Sequence, residues 1–169
     1  MKDSWTVPES RPTYLQEAYE RCTHTFPARD KNIYQAWCRR TDDLVDEPNA
    51  IDVGVDVLDR WEERLQDIFN GRPHDILDAA LTDTVYKFPI DIKPFKDLID
   101  GMRMDITKCR YENFEELYQY CYHVAVAPGL MVVPSVELQP EPLRKLYDTV
   151  LYVCIAVQIT NILRDVKEE

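Results

Sequence analysis

The chain has 169 residues, with 31 Asp and Glu against 20 Lys and Arg, giving a formal net charge of −11. That length suits one domain able to bury a core without disulfide or metal staples, and 45% hydrophobic with 30% charged residues marks a folded chain, not a disordered one. The acidic balance argues against nucleic acid, whose phosphates need a basic face, and four glycines are too few for the many tight hairpins of an all-β fold.

Residues 1–13 read as an irregular N-terminal arm, and 14–169 as one helical domain. Tyr14 to His24 predicts a short helix closed off by Pro27, and Asp30 to Glu47 a longer one stopped at Pro48-Asn49. From Val53 to Asn70, Val57, Leu58, Trp61, Leu65, Ile68 and Phe69 make a helical stripe that ends at Asn70-Gly71. Pro73 opens the next helix, with Ile76, Leu77, Ala80, Leu81 and Val85 on one face, and Pro94 opens another carrying Phe95, Leu98, Ile99 and Met102. Asn113 followed by Glu116 is a capping-box pattern before Leu117, Tyr120, Cys121 and Val124, and the last helix runs from about Leu143 to the terminus. No alternating run competes with these assignments, so the fold class is all-α. No stretch reaches the 18 consecutive apolar residues of a spanning helix, and the first residues have neither signal-peptide nor transit-peptide character. The five cysteines contain no C-x-x-C pair, which predicts free thiols in a reducing compartment. His24 and His123 lack zinc-site spacing relative to Cys22 and Cys121.

Two helices carry polar stripes. Gln35, Arg39, Asp42 and Asp46 follow one another at four, three and four residues, and Gln158, Asn161, Asp165 and Glu169 at three, four and four, so each set shares one helix face. A solvated amphipathic face is the plain alternative for either stripe. The final helix is apolar around most of its circumference before its stripe begins, however, which predicts burial on several sides. Both stripes also pair carboxylates one turn apart with a nearby arginine: Arg39 and Arg40 in the first, Arg164 in the second. Carboxylates about 5–6 Å apart at Cβ suit a hard cation such as Mg²⁺, which favours octahedral oxygen ligands and keeps substrate phosphates in its shell. Two such helices face to face would hold a diphosphate through bridging cations and arginine forks, so Asp42, Asp46, Asp165 and Arg39 are expected in one shared cleft. The chemistry favoured is departure of diphosphate from an allylic carbon, with some of the ten Tyr, five Phe and three Trp offering ring faces to a carbocation.

The stretches Trp37-Cys38-Arg39-Arg40-Thr41-Asp42-Asp43-Leu44-Val45-Asp46 and Gln158-Ile159-Thr160-Asn161-Ile162-Leu163-Arg164-Asp165-Val166 resemble the plant-type phytoene synthases of the squalene/phytoene synthase family. So do Leu58-Asp59-Arg60-Trp61-Glu62, Gly101-Met102-Arg103-Met104-Asp105 and Tyr118-Gln119-Tyr120-Cys121-Tyr122. The resemblance runs from about Leu15 onward and implies part of an isoprenoid synthase helical bundle. It also implies head-to-head condensation of two geranylgeranyl diphosphates to phytoene, through a cyclopropyl diphosphate. On this resemblance the catalytic residues are Asp42, Asp46, Asp165 and Tyr120, with Tyr120 lining the cavity. Arg39, Gln158, Asn161 and Arg164 contact diphosphate or metal, and Asp42, Asp46, Asp165 and Glu169 hold Mg²⁺, or Mn²⁺ in its place. It further implies a plastid location and association with a membrane surface or a prenyl diphosphate synthase. Departures from the family pattern are Glu169 in place of aspartate, Lys167 in place of glycine, a shortened segment around Phe26, and Pro128 in the cavity-lining helix, where a kink is expected. The sequence stops at the second motif, so part of Leu151 to Leu163 is expected to be exposed and open to self-association. The alternative function is therefore a catalytically inactive truncated family member that serves as a binding or assembly module.

Overall fold

A computed structural model describes residues 29–46, 55–108, 110–135 and 140–165, and the expected helix Tyr14 to His24 lies outside them. Within the described residues the architecture is helical throughout, without strands. In chain order the elements are α1 (Arg29–Asp46), α2 (Val55–Phe69), α3 (Ile76–Lys87), α4 (Lys93–Thr107), α5 (Phe114–Cys121), a π-helical turn (Tyr122–Val126), α6 (Ala127–Val132), a 3₁₀ turn (Val133–Ser135) and α7 (Pro140–Asp165).

Most boundaries follow local chemistry. Pro94 sits in the first turn of α4, where a missing amide hydrogen costs nothing. The Asn113 side chain caps α5 by accepting from the Glu116 amide at 2.9 Å. Pro73 does not open α3: the helix begins at Ile76, and Asp75 caps it by accepting from the Asp78 amide at 3.0 Å. A carboxylate satisfies an orphan N–H and meets the helix dipole, which a proline two residues upstream cannot do. The last helix likewise starts at Pro140 instead of Leu143.

The helix expected after Asn113 is not continuous. It ends at Cys121 and widens into the π turn, whose closing bond runs from the Ala127 amide to the Tyr122 carbonyl, before α6 resumes with Pro128 in its first turn. Pro128 has no amide hydrogen and its ring would meet the carbonyl of residue 124. The wider turn removes that conflict, so the expected kink takes the form of a π bulge.

Helix α4 lies at the centre, packed against α1, α2, α6 and the π turn, while α1 also packs on α3 and α6, and α2 on α3. One core joins Ile33, Tyr34 and Trp37 of α1 to Leu58, Trp61, Leu65 and Ile68 of α2, Leu81 of α3, Phe95, Leu98 and Ile99 of α4, and Met131 of α6. Trp37 organises it, stacked on Trp61 at 6.0 Å and meeting the Phe95 ring edge-on at 4.9 Å. A smaller core gathers Cys121, Val126 and Ile155, with Leu117, Tyr120 and Ile162 among its partly buried members.

Helix α7 packs on α5, the π turn, α6 and the 3₁₀ turn. Two glycines allow close approach: a Cβ on Gly129 would lie 2.7 Å from Val150, and one on Gly101 would lie 2.8 Å from Val124 and 3.1 Å from His123. The expected burial of α7 on several sides is not what the structure shows. Ile155 alone among its described residues is buried, while Tyr152, Val153, Val157 and Leu163 are exposed. The expected apolar exposure between Leu151 and Leu163 is present. Although no run of 18 apolar residues exists in it, Pro142–Asp165 is long and apolar enough to cross a membrane by length and composition.

Candidate functional site

On α1 the buried residues Ile33, Tyr34, Trp37 and Thr41 face the core, and the polar stripe lies on the other side. Gln35 and Arg39 are exposed and Asp42 is half-buried, while the side chain of Asp46 lies outside the described set. Arg39 does not point its guanidinium at Asp42. It pairs with Asp43 at 3.0 Å, with both side chains largely in solvent, an i,i+4 contact worth only a few tenths of a kcal/mol. A guanidinium held so weakly remains available to a stronger anion. Cys38 sits one turn before Asp42. Burial, and then the Asp42 carboxylate, push its thiol up to about 12, so it is a neutral packing group beside Met131 and not a nucleophile.

On α7, Gln158 and Asn161 are half-buried on the flank of the face that carries Ile155, Ile159 and Ile162, and Asp165 is exposed. Arg164 bonds Asp165 at 3.0 Å, again in solvent. Glu169 lies outside the described residues. Helices α1 and α7 do not pack extensively on one another. Both pack on α6, so the two stripes are carried by helices one element apart.

Tyr120 of α5 is half-buried in the smaller core, 5.0 Å from the Tyr111 ring. Burial, then the charge and hydrogen bond of Asp105, raise its hydroxyl well above the ordinary tyrosine range, so it stays a neutral phenol at any physiological pH. A cavity of about 210 Å³ between the α3–α4 connection, the π turn and α7 is lined by Lys93, Asp97, Tyr122, Met131, Pro134 and Tyr147 among others. It includes none of the candidate residues.

The expected ligands are oxygen donors with no Cys or His among them, a set that matches Mg²⁺ better than a softer metal. Among the described residues no three His, Cys, Asp or Glu side chains gather to hold a metal, and two of the four expected ligand side chains, Asp46 and Glu169, are not among those described.

Two ion-pair networks between helices of the larger core have no signature in the sequence. Arg103 of α4 bonds Asp59 at 2.7 Å and Glu62 at 2.9 Å on α2, as well as Asp100 at 2.8 Å. Its hydrogen bond, with help from Lys96, holds the Glu62 carboxyl below its usual range. The second network joins Arg40 of α1 and Arg64 of α2 to Asp75 and the wholly buried Asp78 at the start of α3. Its only sequence trace is the acidic pair at the first turn of α3, which on its own reads as a cap.

A profile of the squalene/phytoene synthase family matches residues 28–169, a stretch containing both stripes. Phytoene synthase 2, chloroplastic, of Solanum lycopersicum is 52% identical over 175 aligned positions, covering 92% of this chain and 56% of that protein. Phytoene synthase 1, chloroplastic, of Arabidopsis thaliana is 50% identical, covering 92% of this chain and 42% of that one. The chain thus spans about half the length of the curated relatives it matches. Among solved structures, a dehydrosqualene synthase in complex with ligand superposes with a TM-score of 0.74 at 28% identity, over 90% of this chain and 58% of that one. A squalene synthase from Alicyclobacillus acidocaldarius gives 0.73 at 26% identity, over 94% and 65%.

Proposed function

The chain belongs to the squalene/phytoene synthase family, and from that premise we propose that it serves the head-to-head condensation of two geranylgeranyl diphosphates to phytoene in carotenoid biosynthesis, in a plastid. The observation that carries this reading is the 50–52% identity, across 92% of the chain, to proteins named chloroplastic phytoene synthases. It favours the longer prenyl chain over the substrates of the squalene-type relatives, which are 26–28% identical.

In this reading Asp42 and Asp46, one turn apart on α1, and Asp165 with Glu169 on α7 hold Mg²⁺, with Mn²⁺ the alternative. A cation held there would supply charge neutralisation to the departing diphosphate. The chain's own groups do the rest. Arg39 and Arg164, which among the described residues pair with exposed neighbouring carboxylates, exchange those partners for diphosphate oxygens, which the guanidinium fork fits better. Gln158 and Asn161, half-buried, donate amide hydrogens to the diphosphate. Tyr120 stays protonated and presents a neutral ring to developing positive charge. Other partners in this reading are a membrane surface or a prenyl diphosphate synthase that supplies the substrate.

The test is incubation of the purified chain with geranylgeranyl diphosphate and Mg²⁺, followed by extraction of hydrocarbons. Phytoene from geranylgeranyl diphosphate, even at a very low rate, is the result that supports this reading. A product from farnesyl diphosphate and none from geranylgeranyl diphosphate would overturn the substrate, and no hydrocarbon from either would overturn the activity for this chain.

A further inference from the structure

The residues facing away from the α1 stripe form a charged clamp around one indole. The Arg40 guanidinium bonds Asp75 at 2.7 Å and lies 3.7 Å from Oδ1 of Asp78. From α2, Arg64 bonds Asp78 at 2.7 Å and also bonds Asp75. Both guanidinium groups lie over the Trp61 ring, at 5.1 and 5.3 Å from its centroid. The Trp61 indole N–H donates to the Thr41 hydroxyl at 2.9 Å, which itself donates to the Trp37 carbonyl at 2.9 Å. Asp78 also accepts from the His74 amide at 3.1 Å. Two consecutive residues of α1, Arg40 and Thr41, are therefore fastened to α2 and α3 immediately before Asp42.

We propose that Arg40, Arg64, Asp75 and Asp78 are positioning residues: their clamp fixes the rotation of α1 about its own axis and thereby sets where Asp42 and Asp46 project. This rests on the reading of the α1 stripe as the cation–diphosphate face. The geometry supports it because Arg40 lies about 160° round the helix from Asp42 at 100° per residue, so it anchors α1 from the opposite side and is itself spent on Asp75 and Asp78. Small rotations matter. A carboxylate sits about 6 Å from the helix axis, so a rotation of about 10° moves it by about 1 Å, a displacement able to cost on the order of 10²-fold in a positioned reaction. Four groups from three helices resist that rotation better than one pair would, since an Arg fork on a carboxylate fixes direction as well as distance.

The charge arithmetic separates positioning from direct electrostatics. Asp75→Asn removes a negative charge, so by field alone it would tighten binding of an anion. If Asp75 acts through Arg40 and α1, it weakens binding instead. The experiment uses the full chain and a non-cleavable geranylgeranyl thiolodiphosphate with Mg²⁺, titrated by calorimetry well below the melting temperature of each variant. Affinity is expected to fall about tenfold or more in Asp75→Asn and in Arg40→Gln, with the double variant no worse than the poorer single one, as for groups acting as a unit. A clamp needed only for stability would lower the melting temperature and leave the affinity of the folded protein unchanged. Where Arg40→Gln does not fold, Arg40→Lys keeps the charge without the fork and is expected to lose affinity to a smaller degree. Wild-type affinity or tighter in Asp75→Asn, alongside loss of binding in Asp42→Ala, overturns the clamp and leaves the stripe assignment standing. Absence of Mg²⁺-dependent binding in the unmodified chain overturns both.

Discussion

Helix α1 buries Ile33, Tyr34, Trp37 and Thr41 among three neighbouring helices, whereas α7, 26 residues against 18, buries Ile155 alone among its described residues. Both carry a polar stripe with carboxylates and an arginine, yet they are fixed differently. Behind the α1 stripe stand stacked indoles and four paired charges. Beside the α7 stripe is an apolar face in water, with Tyr152 72% and Leu163 67% exposed. A motif states which groups share a face. How firmly that face is held depends on residues outside the motif.

The strongest way to break this contrast is to remove the α1 anchor. Trp37→Ala deletes a side chain 1% exposed that touches both Trp61 and Phe95, and is expected to cost about 3–5 kcal/mol in urea unfolding. A cost near zero would mean that the described core does not hold α1. Next comes the seam between α6 and α7. Gly129→Ala places a methyl 2.7 Å from Cγ1 of Val150 and 3.3 Å from Sγ of Cys154. Because valine is stiff at χ1, the expected cost is about 1–3 kcal/mol, and Gly129→Ala with Val150→Ala should recover part of it.

Acid separates the two helices in another way. Burial opposes ionisation of Asp75, but the Asp78 amide and Arg40, with Arg64 behind them, hold its carboxyl down at about 2. A depressed carboxyl contributes stability that is complete above its unfolded value near 3.9 and disappears as pH falls through the folded value. Between about pH 4 and pH 2 the unmodified chain should therefore lose stability more steeply than Asp75→Asn, as read by thermal melts across that range. Equal slopes would remove Asp75 from the clamp. The smallest effect is expected on the exposed side of α7, where Leu163→Ser should change stability by no more than about 0.5 kcal/mol. A larger loss would show that this face is covered in solution.

Helix α1 was legible because its apolar residues recur on one side and its polar ones on the other, and the Asn113 cap of α5 because the signal is four residues long. The π turn was less so. Pro128 marks a conflict that can bend, break or widen a helix, and the widened turn packs closely on Gly101 of α4 through Val124 and His123, a contact between distant segments that local sequence does not show. The clamp has no sequence signature for the same reason: Arg40, Arg64 and Asp75 are separated by 24 and 11 residues, and no periodicity connects them. Within the stripes the spacing shows which residues share a face but not their partners: Arg39 pairs with Asp43 at i+4, although Asp42 at i+3 is one residue nearer along the chain.

The most direct test is calorimetric titration of geranylgeranyl thiolodiphosphate and Mg²⁺ into the unmodified chain, Asp42→Ala and Asp43→Ala. Asp42 lies on the stripe with Asp46, and Asp43 is turned about 100° away onto Arg39. If the stripe is the cation–diphosphate face, Asp42→Ala loses Mg²⁺-dependent binding while Asp43→Ala retains it, or gains slightly because Arg39 is released. Equal losses in the two variants, or binding that survives Asp42→Ala unchanged, would contradict the assignment of that face.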